Sequence, residues 1–246
     1  MLRILITNDD GINAIGLKIL AKVASKYGEL FVIAPKCEQS AKSHSIHVRH
    51  PIEFKKVEDI LPGIDTYYAD STPADCVRIA YFYLEDNFDI VLSGVNGGFN
   101  LGEDITYSGT CAAATEAAML GRKAIALSTN FADIDKIEED LEFVLDYVFK
   151  HELYDIYPLY NINIPLGSRS IRYVRQGKTH YYSYYRNDQG YLSSIGRPEA
   201  TPDDIELSDV DLTYKKNITI MPMSFNRTNE DMLKRLVDRF EGNLDK

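Results

Sequence analysis

Short apolar runs alternating with helix-patterned segments constrain this chain more than any other feature. Residues 2–6, 30–34, 88–92 and 124–127 are brief stretches dominated by Ile, Leu, Val, Phe and Ala, and 160–164 is a fifth of similar length. Such runs are the pattern of strands buried on both faces of a parallel sheet. Between the first two, Leu17, Leu20, Val23, Ala24 and Tyr27 recur at helical spacing and Gly28 supplies a stop. Ser71-Thr-Pro-Ala-Asp75 puts a hydroxyl cap and a proline ahead of a helical run over 76–84. An alanine-rich helix is predicted over 110–120 and an amphipathic one over 137–149, on Ile137, Leu141, Val144, Leu145 and Val148. Repetition of βαβ units predicts an α/β fold, a doubly wound, mostly parallel Rossmann-like sheet.

Beyond Pro165 the pattern changes. Residues 170–195 alternate polar and aromatic side chains around Asn187-Asp-Gln-Gly190, which reads as a long hairpin. A late strand follows over 218–221 and a terminal helix over 229–240. At 246 residues the chain is long enough for one large core. The expected organisation is a single α/β domain over 1–246, with a projecting hairpin arm for oligomerisation at 170–217 and a strand and helix in 218–246.

Charge narrows the partners. Lys and Arg number 27 against 37 Asp and Glu, a net charge of −10, so the overall field repels phosphate backbones and anionic membranes. Nucleic-acid wrapping and membrane association are not expected. Cys37, Cys76 and Cys111 are odd in number and show no CxxC pairing, which fits a reducing compartment. The N-terminus meets Asp9 and Asp10 where a signal peptide would stay apolar, so the location expected is cytoplasmic.

Ligands of open parallel sheets bind beyond the carboxyl ends of the strands. Thr7-Asn-Asp-Asp-Gly11 stands directly after the first run. Adjacent carboxylates there repel unless a cation neutralises them; the alternative reading makes one a helix cap and the other a solvated acid. The loop after the second run holds Ser40 and Ser43. The loop after the third, Ser93-Gly-Val-Asn-Gly-Gly-Phe-Asn-Leu-Gly102, offers backbone access and the Asn96 carbonyl. It lacks the GxGxxG pattern of dinucleotide folds. Ser108-Gly-Thr110 opens the alanine-rich helix and suits either an anion site or a plain N-cap. Carboxylates, neutral oxygens, glycines and a helix N-terminus together describe a metal-assisted phosphate site.

Several of these segments occur in order as ILITNDDG, VIAPKCEQSAKSHSI, STPADCV, SGVNGGFNLG and YSGTCAAATEAAMLG. In that order the chain resembles the SurE family, the stationary-phase survival nucleotidases also described as acid phosphatases and 5′-nucleotidases. The likeness is dense over 4–46 and 71–128 and thinner towards the C-terminus. It implies one divalent metal, Mg²⁺ or Mn²⁺, held by Asp9, Asp10, Ser40 and Asn96, with Asp9 and Asp10 catalytic through the metal. Oxygen donors suit such hard ions. Ser108, Gly109 and Thr110, joined by Asn8 and Ser43, would bind phosphate. The implied reaction is hydrolysis of nucleoside 5′-monophosphates, with 3′-nucleotides and short polyphosphate as further substrates, in a homodimer or homotetramer. Cys111 and His47 depart from the family's common residues at their positions.

Two other functions compete: a phospho-receiver-like regulator, which also carries an acid pair after its first strand, and a non-catalytic nucleotide or metal sensor. His44, His47 and His50 recur every third residue, a spacing that does not gather three side chains on a strand, so they read as solvated or substrate-lid histidines rather than a zinc site. Tyr181, Tyr182, Tyr184 and Tyr185 read as packing against a partner subunit, with base stacking as the alternative.

Overall fold

The computed structural model describes residues 1–84, 88–179, 181–198 and 205–241, with backbone alone for 181–184 and 197–198. The apolar runs become β1 (Leu2–Thr7), β2 (Gly28–Pro35), β5 (Ile90–Gly97), β6 (Lys123–Thr129) and β7 (Leu159–Asn163). Two short strands, β3 (Phe54–Lys56) and β4 (Thr66–Ala69), extend one edge, while β8 (Ile171–Tyr173) and β11 (Ile218–Pro222) extend the other. The nine strands lie in the order β3-β4-β2-β1-β5-β6-β7-β11-β8. Strands β4, β2, β1, β5, β6 and β7 are parallel neighbours, whereas β3 and β11 run antiparallel to β4 and β7. The doubly wound sheet predicted from the βαβ repetition is therefore present.

Alternation along β1 divides the core. Ile4 and Ile6 face α1 (Ile15–Ala24) and α4 (Glu138–Lys150), while Leu5 faces α2 (Pro73–Phe82) and α3 (Gly109–Met119). Helix α3 is buried nearly all round, and its alanines allow it to lie close against the sheet. From β1 the chain passes to β2 and β4 on one side and resumes at β5 on the other, so the strand order reverses between β1 and β5. Thr7, the last residue of β1, pairs with Ser93, and β5 runs on past it to Gly97. That crevice is where ligands of such sheets bind.

The arm is shorter than the alternating pattern suggests. Residues 171–173 join the main sheet as β8, because Ile218, Thr219 and Ile220 of β11 offer a free edge to pair with. The hairpin is confined to β9 (Tyr181–Asp188) and β10 (Tyr191–Pro198), a separate two-stranded sheet. Its two-residue turn, Gln189-Gly190, has both residues at positive φ, the geometry that matches strand twist. Tyr185 is exposed; the side chains of Tyr181, Tyr182 and Tyr184 lie outside the described residues. Short helices α5 (Leu153–Ile156) and α6 (Asp209–Tyr214) precede β7 and β11, and α7 (Glu230–Phe240) ends the described chain. Among the described residues no helix is long and apolar enough to cross a membrane.

Candidate active site

Three loops and one helix end meet at the β1/β5 crevice. The Asn8 side chain closes the first loop on itself: its amide nitrogen donates to the Gly11 carbonyl at 3.0 Å and its oxygen accepts from the Gly11 N–H at 3.2 Å. Gly11 takes φ +97, a region side chains rarely enter, and the main chain of Cys37 and Glu38 passes about 3 Å from where a Cβ would stand. This tight turn projects Asp9 and Asp10 in sequence. The second loop is tied to it by the Gln39 N–H, which donates to the Asp9 carbonyl at 2.7 Å.

Asp9 is 4% exposed and lies against the start of α3. Thr110 Oγ1 donates to its carboxylate, and the main-chain N–H groups of Gly109 and Thr110 support the same charge. A methyl group on Gly109 would come within 2.8 Å of Asp9 Cβ, so only glycine permits this approach. Ser108 caps α3, accepting from the Cys111 N–H at 3.1 Å. Burial raises the Asp9 pKa even against the lowering effect of these donors. Asp10 is half-buried and accepts from the Gly97 N–H at 3.3 Å. Burial first, then the charges of Asp9 and Glu38, push its carboxyl up to about 6. Among the described residues no cation is paired with Asp9, Asp10 or Glu38.

The third loop is fixed from behind. Asn100 takes hydrogen bonds from Asn161 and Asn163 and donates to Ser128, all buried. Asn96 lies at the front, its amide donating to the Gly98 carbonyl at 2.7 Å, which leaves its oxygen available as an acceptor. Asp9, Asp10, Asn96 and the Ser108–Thr110 turn therefore converge, linked by Gly97 and Thr110. Ser40 is less settled: its hydroxyl donates to Glu38 Oε1 at 2.7 Å, and Ser43 is bound to the Thr106 carbonyl at 2.7 Å. Glu38, which adds to the charge on Asp10, escaped sequence reading because a single acid in a polar loop carries no spacing signal. A cavity of about 770 Å³ begins at Ser108 and is walled by His44, Arg78, Glu116 and Phe225.

His44 is part-buried and His47 is exposed, yet each ring has a hydrogen-bond partner. His44 Nε2 is 2.7 Å from Glu116 Oε2, and His47 Nδ1 is 2.7 Å from Ser71 Oγ; His50 alone of the three is exposed without such a contact among the described residues. All three thiols are free, with Cys37 exposed and Cys76 and Cys111 buried. Burial raises both buried thiols, Cys111 to about 12, so neither supplies a thiolate near neutrality.

The sheet topology and the acids at its switch point define an α/β protein with a cluster of carboxylates beyond the carboxyl end of β1, beside β5. Comparison with known proteins carries this further. The family model described as Survival protein SurE matches residues 4–183, and the chain belongs to the SurE family. The 5′-nucleotidase SurE of Thermosipho melanesiensis is 36% identical over an alignment covering 98% of each chain. That of Clostridium beijerinckii is 35% identical over 98% of this chain and 100% of its own. The crystal structure of the Aquifex aeolicus SurE protein superposes with a TM-score of 0.80 at 29% identity, covering 96% of this chain and 98% of its own.

Proposed function

We propose that this chain is a divalent-metal-dependent 5′-nucleotidase that hydrolyses nucleoside 5′-monophosphates to nucleoside and phosphate. The observation that carries the reading is the Asp9–Asp10 pair: two adjacent acids, both pushed towards the neutral form, with a third acid nearby and no cation paired with them among the described residues. An arrangement that costs folding energy without a ligand is suited to recruit a positive one. The donors fit a hard ion. Asp9, Asp10, Asn96 and Ser40 present oxygen alone, the set preferred by Mg²⁺ and Mn²⁺ over softer metals. Ser40 joins the set once its hydroxyl turns from Glu38.

A bound divalent ion supplies Lewis-acid stabilisation of phosphoryl oxygens and a template for in-line displacement. Asp9 holds its carboxylate at a fixed place because Thr110 and the α3 N-terminus grip it. Asp10 is free on its solvent side. The N-terminal turn of α3, with Ser108, Gly109 and Thr110, sets a positive helix end beside the phosphate, and Asn8 and Ser43 fix the loops that frame it. Phosphoryl transfer asks mainly for such positioning and charge stabilisation. The cavity at Ser108 has the size of a small-molecule site and would take the nucleoside. Activity on 3′-nucleotides and short polyphosphate belongs to the same reading. So do a cytoplasmic location, a single domain over 1–246, and assembly as a homodimer or homotetramer. Assembly draws on the exposed Met232, Leu233, Leu236, Val237 and Phe240 of α7 and on the projecting hairpin.

A phospho-receiver would need a carboxylate at the end of its central strand, whereas β5 carries buried Ser93 level with the end of β1 and then Gly-Val-Asn-Gly, with no acid. The sensor reading is tested directly. Phosphate release from nucleoside monophosphates and p-nitrophenyl phosphate is measured with Mg²⁺, with Mn²⁺ and with chelator. Turnover that chelator abolishes and Asp9→Asn removes is expected; metal and nucleotide binding without release of phosphate would overturn the enzyme reading in favour of a sensor.

A further inference from the structure

The loop that follows β2 bears Ser40 and Ser43, and its shape is unusual for non-glycine residues. Ala41 and Ser43 stand at φ 57 and 56, in the left-handed region, on either side of Lys42. Backbone held this way persists only where the surroundings over-determine it. On the upstream side the fixing contact is the Gln39 N–H on the Asp9 carbonyl. On the downstream side Ser43 donates to the Thr106 and Tyr107 carbonyls, and two histidines extend the anchorage beyond it.

His44 Nε2 lies 2.7 Å from Glu116 Oε2, and Arg78 Nη1 donates to the other oxygen of the same carboxylate at 2.8 Å. Glu116 is 5% exposed. A buried carboxylate accepts, so His44 is the donor through Nε2. Three residues on, the His47 N–H donates to Asp75 Oδ2 at 2.8 Å. The Ser71 hydroxyl gives its proton to that same oxygen at 2.5 Å, so His47 Nδ1 donates to Ser71 Oγ. Asp75 is 3% exposed, and Thr72 Oγ1 adds a bond to the Ser45 carbonyl at 2.7 Å. The loop is thus fastened to α2 and α3 through acids that are not members of the proposed metal set. Glu116 stands on the helix whose first turn grips Asp9, so one rigid element fixes both sides of the pocket.

We infer that His44 and His47 form a two-point clasp, on Glu116 and Asp75, that positions the Ser40 loop for metal binding; they act on the metal site through the loop and are not its ligands. This rests on the reading that Ser40 joins Asp9, Asp10 and Asn96 around a divalent ion. Groups that orient metal ligands from behind change affinity by roughly 10- to 100-fold when removed.

The test is Mn²⁺ binding to the metal-free protein, followed by the electron paramagnetic resonance signal of free Mn²⁺, so that turnover does not enter. His44→Ala and His47→Ala are each expected to weaken binding about tenfold, and the double variant by more. The rescue is atom-specific. Gln places its amide nitrogen near the place of a histidine Nε2 and Asn near that of Nδ1, so His44→Gln and His47→Asn are expected to bind within about twofold of the parent chain. Alanine variants with parent affinity would overturn the clasp, as would His44→Gln binding as weakly as His44→Ala. If His44→Ala does not fold, His44→Leu replaces it, and equal affinity in the Gln and Leu variants overturns the clasp. Asp9→Asn separates the two layers: if it leaves Mn²⁺ binding intact, the metal reading fails, whereas its loss of binding beside unaffected clasp variants removes the clasp alone.

Discussion

Asp9 and Glu116 are buried to nearly the same degree, at 4% and 5% exposure, and the fold treats them in opposite ways. Burial alone raises both carboxyls. At Glu116 the His44 and Arg78 hydrogen bonds and their charges outweigh it and hold the pKa below the ordinary 4.5. At Asp9 the opposing donors are neutral, a hydroxyl and the N–H groups of a helix start, and burial prevails. Asp10 adds a second negative charge to that side and none is cancelled. A buried acid with its own cation is a structural joint; a buried acid without one is an open place for a ligand. Both kinds meet the same helix, Asp9 through Thr110 and Glu116 as a member of it, and those two helix positions are only six residues, roughly 9 Å, apart.

The comparison breaks most visibly if the uncompensated side can be altered without cost to activity. Asp9→Asn should lower metal-dependent phosphate release by about 10³-fold or more while circular dichroism shows the fold kept, because the charge that stabilises transferring phosphoryl oxygens depends on it. Gly109→Ala comes next. Its methyl would stand 2.8 Å from Asp9 Cβ and 3.0 Å from Oδ2, so Asp9 or the helix start must move. A displacement approaching 1 Å is worth about 100-fold in turnover. Steady-state kinetics showing parent kcat in Gly109→Ala would mean that the Asp9 position is not critical.

These expectations separate what the sequence carries from what it does not. The parallel core was legible because each buried strand is a continuous run and each helix has a 3.6-residue period. The acid pair and Ser108-Gly-Thr110 were legible because they stand directly after strand or before helix signals. The compensated side was not. His44 finds Glu116 seventy-two positions away and His47 finds Asp75 twenty-eight away, separations over which no local period operates. A three-residue histidine spacing pointed instead to solvent. The hairpin boundary was missed for a related reason: 171–173 and 181–188 have similar alternating texture, and only the free edge of β11 decides that the former joins the main sheet.

On the compensated side the measurable quantity is stability. Glu116→Gln removes a buried acceptor charge from His44 and Arg78 and should cost about 2 kcal/mol by denaturant unfolding. The pH dependence has a definite sign. A carboxyl whose folded pKa is depressed stabilises fully above its unfolded value, here the ordinary 4.5, and loses that contribution as pH falls through the lower folded value. The gap between parent and Glu116→Gln should therefore hold steady at neutral pH and close as acid is added below pH 4.5. A gap that opens towards acid would contradict the pairing.

Asp10 inverts that sign. Its carboxyl is raised from 3.8 to about 6, so at pH 7 its charge opposes folding of the metal-free chain. Asp10→Asn should stabilise the metal-free protein by roughly 1 kcal/mol after allowing for its partial exposure, and the gain should vanish below about pH 4. With Mn²⁺ present the order should reverse, since the parent then gains binding energy that the variant lacks. Thermal unfolding at pH 7, with and without Mn²⁺, reads both effects.

The smallest expected effect isolates burial from pairing. Lys22 Nζ meets Glu138 Oε1 at 2.6 Å across α1 and α4, a closer contact than either bond to Glu116, but both side chains are largely in water, at 60% and 42% exposure. Water has already solvated these charges, so losing the partner leaves nothing stranded. Lys22→Ala should change stability by less than about 0.5 kcal/mol. In 1 M salt, where the screening length is near 3 Å, even that should disappear. More of the Glu116→Gln deficit should survive the same salt, because the Glu116 carboxylate is only 6% exposed even though Arg78 is 38% exposed. Equal salt sensitivity at the two sites would mean that contact distance, rather than removal from water, decides what a carboxylate contributes to this fold.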